Sequence, residues 1–224
     1  MDEFEKESGK HFKLAKMYLD ALLRVQRDAA SRMILKAVEE GVDVKDIYLN
    51  VFEPCQHEVG RLWQKNQINV AQEHYCSAVT QMVMSQLYPY IFRGTKNGHR
   101  MIATCVAGEM HEIGIRMVAD LFEMDGWDTY YLGANTPSES IIDSLNTLNP
   151  EILAVSASIH YNVIAAASLI DMIKESTSSN IKILVGGRPF LMMPDLWKKI
   201  GAHGSAHNAQ DAVEMANQLI SKGN

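Results

Sequence analysis

Residues 101–114, MIATCVAGEMHEIG, pass from a strand through a polar loop into a helix. Residues 101–106 form a short, mainly apolar run followed by Gly108, which predicts a buried strand ending in a turn. Apolar residues then recur at helical spacing over residues 113–124. A strand followed by a helix is the repeating unit of a parallel sheet, and such sheets bind their ligands at the carboxyl ends of the strands. The loop that carries Glu109 and His111 is therefore a candidate binding site.

The same alternation of strands and helices continues to the end of the chain. Further strand-like runs cover residues 129–132, 152–155 and 181–185, and helical runs cover residues 137–148, 163–174, 194–200 and 208–220. A serine-rich loop is expected at residues 176–179. We therefore predict an α/β domain over residues 98–224, with a flavodoxin-like (Rossmann-like) parallel sheet of five strands wrapped by helices.

Residues 1–92 lack strand alternation and show helical spacing, so we predict a helical bundle as an N-terminal cap. One helical run covers residues 14–37 and ends at Gly41. A second covers residues 44–62, where Pro54 predicts a kink or a short break. A third covers residues 69–87 and is expected to end at Pro89. Turn-forming residues 93–99 then link the cap to the α/β domain.

Composition excludes several functional classes. The 224 residues carry a net charge of −6, which argues against direct binding of nucleic acid. No long apolar window or signal peptide is present, so we expect no membrane span and a cytoplasmic location. The three cysteines are widely spaced and predict neither a disulfide framework nor a CxxC metal site.

Three loops after predicted strands carry candidate functional residues. Glu109 could hold one ring nitrogen of His111 while the other binds a metal, although a solvated loop histidine is the common alternative. Residues 156–158, Ser-Ala-Ser, and residues 186–188, Gly-Gly-Arg, follow later strands, where serines and paired glycines also make ordinary turns. No Lys-Ser or Lys-Thr follows the glycines and no GxGxxG follows the first strand, which excludes a P-loop and a dinucleotide site.

Together these loops resemble the signature of cobalamin-binding domains. The resemblance is carried by Glu109-x-His111-x-x-Gly114, Ser156-x-Ser158 and Gly186-Gly187. It implies that His111 is the lower axial ligand of cobalt, in place of the cofactor's own base, and that Glu109 is its hydrogen-bond partner. It further implies that the two serines contact the buried base and that the two glycines leave room for the nucleotide tail. Flanking residues implied as further cofactor contacts are Met110, Ile113 and Arg188. The family has aspartate where this chain has Glu109.

The cap carries a second resemblance. Trp63, followed by Glu73 and His74, is similar to the cap of light-sensing adenosylcobalamin photoreceptors, which implies that these residues contact the adenosyl group. A bundle-core tryptophan and a solvated helix face are the alternatives. Gln64 stands where those photoreceptors have the histidine that binds cobalt from above after photolysis, so His74, His57 or water would have to take that position. Only a short tail precedes the cap, so no DNA-binding domain is expected.

The combined resemblance predicts a stand-alone light sensor without enzymatic activity. It would bind adenosylcobalamin between the cap and the α/β domain, with His111 on cobalt. It would signal to a protein effector through cap movement or a change of homo-oligomer. The alternative is a corrinoid carrier protein of a methyltransferase system, which would use methylcobalamin. Such carriers share the helical cap, the histidine motif and a similar length.

Overall fold

A computed structural model describes residues 3–176 and 180–221, so most of the predicted loop at residues 176–179 lies outside the described residues. The chain divides into two compact units, Met1–Arg93 and Gly94–Asn224. The described residues of the first unit form helices joined by short turns, and the second is an α/β unit.

The first unit is built around buried aromatic side chains. Tyr18, Tyr48 and Phe52 are fully buried, and the Phe52 ring lies 5.5 Å from that of Tyr18 and 5.4 Å from that of Tyr48. Burial of three such side chains stabilises the unit by several kcal/mol, at about 1.5–3 kcal/mol each. The helices are α1 (Glu3–Ser8), α2 (Phe12–Leu23), α3 (Arg27–Glu39), α4 (Val44–Ile47), α5 (Glu53–Gln64), α6 (Val70–Gln86) and α7 (Tyr88–Ile91).

The predicted helical run at residues 14–37 is broken in the structure. Helix α2 ends in a Schellman motif, in which the N–H of Val25 donates to Leu22 O and the N–H of Gln26 donates to Ala21 O. Val25 has a φ of 59° and its side chain is 61% exposed, so it is not part of an apolar helix face. Glycine is the usual residue at this left-handed position, and its absence hid the break from sequence reasoning.

The two prolines act differently from one another. The run predicted at residues 44–62 stays continuous, and the irregularity expected at Pro54 takes the form of a π-helical segment, Tyr48–Phe52, directly before α5. Helix α6 begins with a capping box between Asn69 and Gln72. It ends at Gln86, before Pro89, which lies in the first turn of α7. Pro89 follows the C-cap residue Leu87 by two positions, so the prediction that this helical run closes at Pro89 is confirmed.

The second unit confirms the predicted fold class. Its sheet is five-stranded and parallel, in the order β2-β1-β3-β4-β5. The strands are β1 (Arg100–Cys105), β2 (Asp128–Gly133), β3 (Ile152–Ser156), β4 (Lys182–Gly186) and β5 (Gly204–Ser205). The helices are α8 (Ile113–Met124), α9 (Ser138–Leu148), α10 (Asn162–Ser176), α11 (Arg188–Met192), α12 (Leu196–Lys199) and α13 (Ala209–Ser221).

The strand order places the candidate loops side by side. The last residues of β1, β3 and β4 are in register, with Cys105 paired to Ser156 and Ser156 paired to Gly186. In this topology the connections diverge at the boundary between β1 and β3, which opens a crevice outside the carboxyl ends of those strands. The core beneath is apolar, and Leu153 and Val155 on β3 belong to a buried cluster with residues of α9 and α10. The sheet thus provides a rigid support for three adjacent loops.

Candidate functional site

Glu109 is buried at the edge of the sheet where the carboxyl ends of the strands meet. Its side chain has no exposed surface, and both carboxylate oxygens accept hydrogen bonds. Oε1 accepts from the backbone N–H of His111 at 2.8 Å and lies 2.6 Å from His111 Nδ1. Oε2 accepts from the backbone N–H of Ser158 at 2.6 Å and from Asn162 Nδ2 at 2.9 Å. One carboxylate therefore ties the loop after β1 to the loop after β3.

The hydrogen bonds decide the charge of Glu109. Burial of the carboxylate acts to raise its pKa, but the donors from His111, Asn162 and Ser158 outweigh burial and lower the pKa to about 2. Glu109 is therefore ionised at neutral pH and can only accept hydrogen bonds. Nδ1 of His111 must then carry the proton, so the lone pair of the neutral ring lies on Nε2. The His111 side chain is 61% exposed.

Asn162 is a member of this cluster that sequence reasoning missed. It is the first residue of α10, its side chain is 2% exposed, and its Nδ2 lies 3.5 Å from Gly108 O as well as 2.9 Å from Glu109 Oε2. In sequence, an asparagine that opens a helix indicates a cap. Its proximity to Glu109 follows only from the pairing of β1 with β3.

The three glycines of the predicted signature have different surroundings. Gly187 has a φ of 116°, and a Cβ built on it would lie 2.3 Å from Ala157 O. The backbone of the loop after β3 therefore packs directly against Gly187. A Cβ built on Gly186 or on Gly114 meets no atom within 4 Å.

The serine motif and Cys105 lie beneath the loop. Ser156 is buried, whereas Ser158 is half-buried and contributes its backbone N–H to Glu109. The Cys105 thiol donates a weak hydrogen bond to His111 O at 3.8 Å. Burial, together with the nearby carboxylates of Glu109 and Glu112, raises the pKa of Cys105 to about 12, against a smaller opposing effect of Ser156. Cys105 is therefore a neutral thiol and does not compete with the imidazole as an anionic metal ligand.

Apolar side chains are exposed along the same edge. Met110, on the loop after β1, is 68% exposed, and Ile113 is half-buried. Arg188, the first residue of α11 after β4, is exposed. The exposed apolar residues on the loops and helix starts after β1, β3 and β4 are Met110, Ile159, Tyr161, Ile164, Leu191, Met192 and Met193. Apolar groups concentrated at one edge indicate a surface for a ligand or a partner.

The cap residues singled out by sequence lie on α5 and α6. Trp63 is 44% exposed, so the alternative of a bundle-core tryptophan was wrong. Nδ1 of His74 lies 2.5 Å from Glu73 Oε2, and Ser77 Oγ lies 3.1 Å from Glu73 Oε1. The His74 side chain is 74% exposed. Exposed Gln64 ends α5, and His57 lies 3.4 Å from a carboxylate oxygen of Glu7.

The kind of metal centre is limited by the donors present. Within the described residues, no group of three or more His, Cys, Asp or Glu side chains could enclose a metal ion. A single imidazole suits a metal that arrives with its other ligands already in place.

Among the residues that the structure describes, no helix is both long enough and apolar enough to cross a membrane.

Comparison with known proteins places these features in one family. The sequence profile of the B12 binding domain matches residues 99–215, and a second profile, also described as a B12 binding domain, matches residues 14–88. The chain is 26% identical over 209 residues to a corrinoid protein of Desulfitobacterium hafniense (strain Y51), which covers 90% of this chain and 95% of that protein. It is also 26% identical over 208 residues to the dimethylamine corrinoid protein of Methanosarcina barkeri, covering 90% of this chain and 94% of that protein.

A solved structure has the same fold. The monomethylamine corrinoid protein of Methanosarcina barkeri superposes with a TM-score of 0.82 at 21% identity, over 92% of this chain and 98% of that chain. These relatives are corrinoid proteins, so the more specific resemblance to photoreceptors is not supported. The first profile alone covers half of the 224 residues and includes all three edge loops. The chain therefore belongs to the B12 binding domain family.

Proposed function

We propose that this chain is a corrinoid protein of a methyltransferase system, with Nε2 of His111 as the protein ligand to cobalt. A bound cobalamin supplies a cobalt centre that accepts and donates a methyl group. The observation that carries the proposal is the Glu109–His111 pair, because a buried, ionised carboxylate fixes the tautomer of an exposed imidazole at the edge where such sheets bind ligands.

The residues at the edge fit a cobalamin. No cluster of three or more metal-binding side chains occurs among the described residues, so His111 would suit a metal that a cofactor brings with its other ligands. Exposed apolar side chains such as Met110 and Tyr161 match the apolar parts of a large flat cofactor. The open space beside Gly186 and Gly114 leaves room where a side chain would otherwise lie.

Individual residues then have distinct proposed roles. Glu109 holds the proton on Nδ1 of His111, orients the ring and raises its basicity. Ser156 and Ser158 are proposed to contact the cofactor's base, with Gly186 leaving room for the nucleotide tail. The residues proposed as further contacts around the ring are Met110, Ile113, Gly114 and Arg188. Gly187 is proposed to act indirectly, by allowing the loop after β3 to pack closely.

An adenosylcobalamin-dependent light sensor is the second candidate function. The relatives named above favour the carrier, and one observation favours the sensor. Trp63 offers an exposed indole on α5, and Glu73 holds the exposed imidazole of His74 on α6. An indole could stack on a nucleoside, and a carboxylate could accept ribose hydroxyl hydrogen bonds. Contact of these residues with an adenosyl group remains a prediction.

Reconstitution separates the two functions. The protein is loaded in the dark with methylcobalamin and, separately, with adenosylcobalamin, and absorption spectra and size-exclusion profiles are recorded before and after green light. A carrier binds methylcobalamin with a base-off, histidine-ligated spectrum and keeps its size on illumination. A preference for the adenosyl form with a light-dependent change of oligomer would favour the sensor, and no binding of either would refute both.

His111→Ala tests the ligand itself, and His74→Ala is the matched control. Both imidazoles are exposed and both have Nδ1 held by a neighbouring carboxylate. We expect the histidine-ligated spectrum of bound methylcobalamin to disappear in His111→Ala and to persist in His74→Ala. A histidine-ligated spectrum that survives in His111→Ala would show that His111 is not the ligand.

The first candidate function, a corrinoid protein of a methyltransferase system, also predicts a methyltransferase as the protein partner.

A further inference from the structure

A second glutamate anchors the ligand loop, defined as residues 107–112, on the side opposite to Glu109. The Glu112 carboxylate reaches the end of β2, where its Oε2 accepts from Tyr131 OH at 2.8 Å and from the backbone N–H of Ala134 at 3.1 Å. Glu109 reaches the loop after β3 instead. Because β1 lies between β2 and β3, the two carboxylates tie the ligand loop to both neighbouring strands, with His111 between them.

The side chain of Glu112 does not cap the helix that follows it. It occupies the N-cap position of α8, yet its side chain makes no capping hydrogen bond. Glutamate is not among the favoured N-cap residues, and here its carboxylate is directed across to β2. Gly133, the last residue of β2, has a φ of 87°, and a Cβ built there would lie at ordinary van der Waals distance, 3.5 Å, from Glu112 Oε2. The carboxylate therefore packs against the end of β2 as well as accepting its hydrogen bonds.

Tyr131 is a stable donor in this contact. Its ring is half-buried, and burial together with the Glu112 carboxylate raises the pKa of the phenol above its usual value. The hydroxyl therefore keeps its proton at neutral pH and donates to Glu112. Beneath the loop, the Cys105 thiol contacts His111 O. The backbone of His111 is thus contacted by Cys105 of β1. The neighbouring Glu109 and Glu112 hold the loop on the β3 side and the β2 side.

We propose that Glu112 and Tyr131 are positioning residues that fix the location of His111 for cobalt ligation. This inference rests on the proposed function. With one anchor lost, the loop can pivot about Glu109, so the imidazole spends less time where a metal can be reached. Its hydrogen bond to Glu109 is kept, so its tautomer and basicity do not change. Glu112 and Tyr131 are therefore expected to control how often the imidazole reaches the metal, while Glu109 controls the tautomer and basicity of the imidazole.

Glu112→Gln and Tyr131→Phe test the proposal with methylcobalamin as the probe. We expect each variant to weaken methylcobalamin binding about 10-fold, as is typical for removal of a partner outside the coordination sphere. The fraction of base-off, histidine-ligated spectrum at saturation should fall. The absorption maxima of the histidine-ligated form should stay at wild-type positions. Glu109→Gln should shift those maxima as well as weaken binding.

The chain offers matched controls on nearby elements. Tyr130 precedes Tyr131 on β2 and donates its hydroxyl to Asp128 Oδ2, on the same strand, at 2.9 Å. Tyr130→Phe therefore removes a phenol–carboxylate hydrogen bond from the same strand. Exposed Glu139, in the first turn of α9, provides the control Glu139→Gln. Both controls should bind methylcobalamin as the wild type does.

The outcomes separate this inference from the proposed function. If wild-type protein shows no histidine-ligated spectrum, the proposed function fails. If the wild type shows that spectrum and Glu112→Gln and Tyr131→Phe match it in affinity and histidine-ligated fraction, the positioning role is refuted while the function stands. A drop in apo-protein melting temperature with an unchanged histidine-ligated fraction would also refute it, because the contact would then be purely structural. The loss in the double variant should be smaller than the sum of the two single losses, because both changes weaken the same Tyr131–Glu112 contact.

Discussion

The adjacent glycines Gly186 and Gly187 should respond in opposite ways to the same substitution. A methyl group added at Gly187 would lie 2.3 Å from Ala157 O and 2.8 Å from the Ala157 carbonyl carbon. A methyl group added at Gly186 meets nothing within 4 Å. Gly187→Ala should therefore destabilise the α/β unit without any ligand present, whereas Gly186→Ala should not.

The magnitude follows from two costs at Gly187. Its φ of 116° with ψ of 166° lies in a region that side chains other than glycine rarely adopt, which costs about 1–3 kcal/mol. Relieving the overlap with Ala157 requires a backbone shift, at a further cost of about 1–3 kcal/mol. Together the two costs give an expected loss of about 2–6 kcal/mol, which corresponds to a fall in melting temperature of roughly 5–20 °C for a protein of this size. Gly186→Ala should change the unfolding free energy by less than about 1 kcal/mol.

Urea denaturation of the apo proteins, with the transition of the α/β unit followed by intrinsic fluorescence, measures both variants against the wild type. Buried Trp127 lies in that unit and reports its unfolding. Methylcobalamin titration then gives the second contrast. Gly186→Ala should keep its apo stability and lose cofactor affinity, because the added methyl group occupies the space proposed for the nucleotide tail.

Equal unfolding free energies for the two variants, within about 0.5 kcal/mol, would show that the close approach at Gly187 is not a constraint. Unchanged methylcobalamin affinity in Gly186→Ala would remove the proposed role of the open space. Each glycine therefore has its own refuting measurement.

Three further predictions concern other sites. Val25→Gly should stabilise the first unit by about 1 kcal/mol in urea unfolding, because it relieves a left-handed valine, and the reasoning fails if Val25→Ala gains as much. Asn162→Ala should lose about 1–3 kcal/mol of unfolding free energy, because a buried oxygen of Glu109 loses a donor; no change in the apo protein would contradict this. His203 accepts the N–H of Ile183 on Nδ1, and burial and nearby lysines lower its pKa. Its contribution is therefore present above the unfolded-state pKa of about 6.5 and lost as pH falls through the lower folded-state value. His203→Asn should flatten this dependence in thermal melts at pH 5 and pH 8, and an identical slope in variant and wild type would exclude His203 as its source.

Local patterns were sufficient where the physical cause is local. The buried run at residues 101–106 and the helical spacing after it predicted β1 and α8, because the periodicity of apolar residues reflects which face is buried. Strand β5 has only two residues, Gly204 and Ser205, and carries too little pattern to be located, although a fifth strand was expected. The break at Val25 was missed because a non-glycine residue occupies the left-handed position.

The residues of the candidate site also fall into two groups: those that the sequence indicated and those that only the strand order brings together. The spacing of Glu109 and His111 permits their hydrogen bond within one loop, so the sequence alone indicated the pair. Asn162, Tyr131 and Ala157 join the site only because β1 lies between β2 and β3 and because β4 pairs with β3. Apolar periodicity and chain-local spacing determined the alternation of elements and the metal-binding loop. Strand order, which brings residues distant in sequence to the same edge, decided which side chains hold that loop in place.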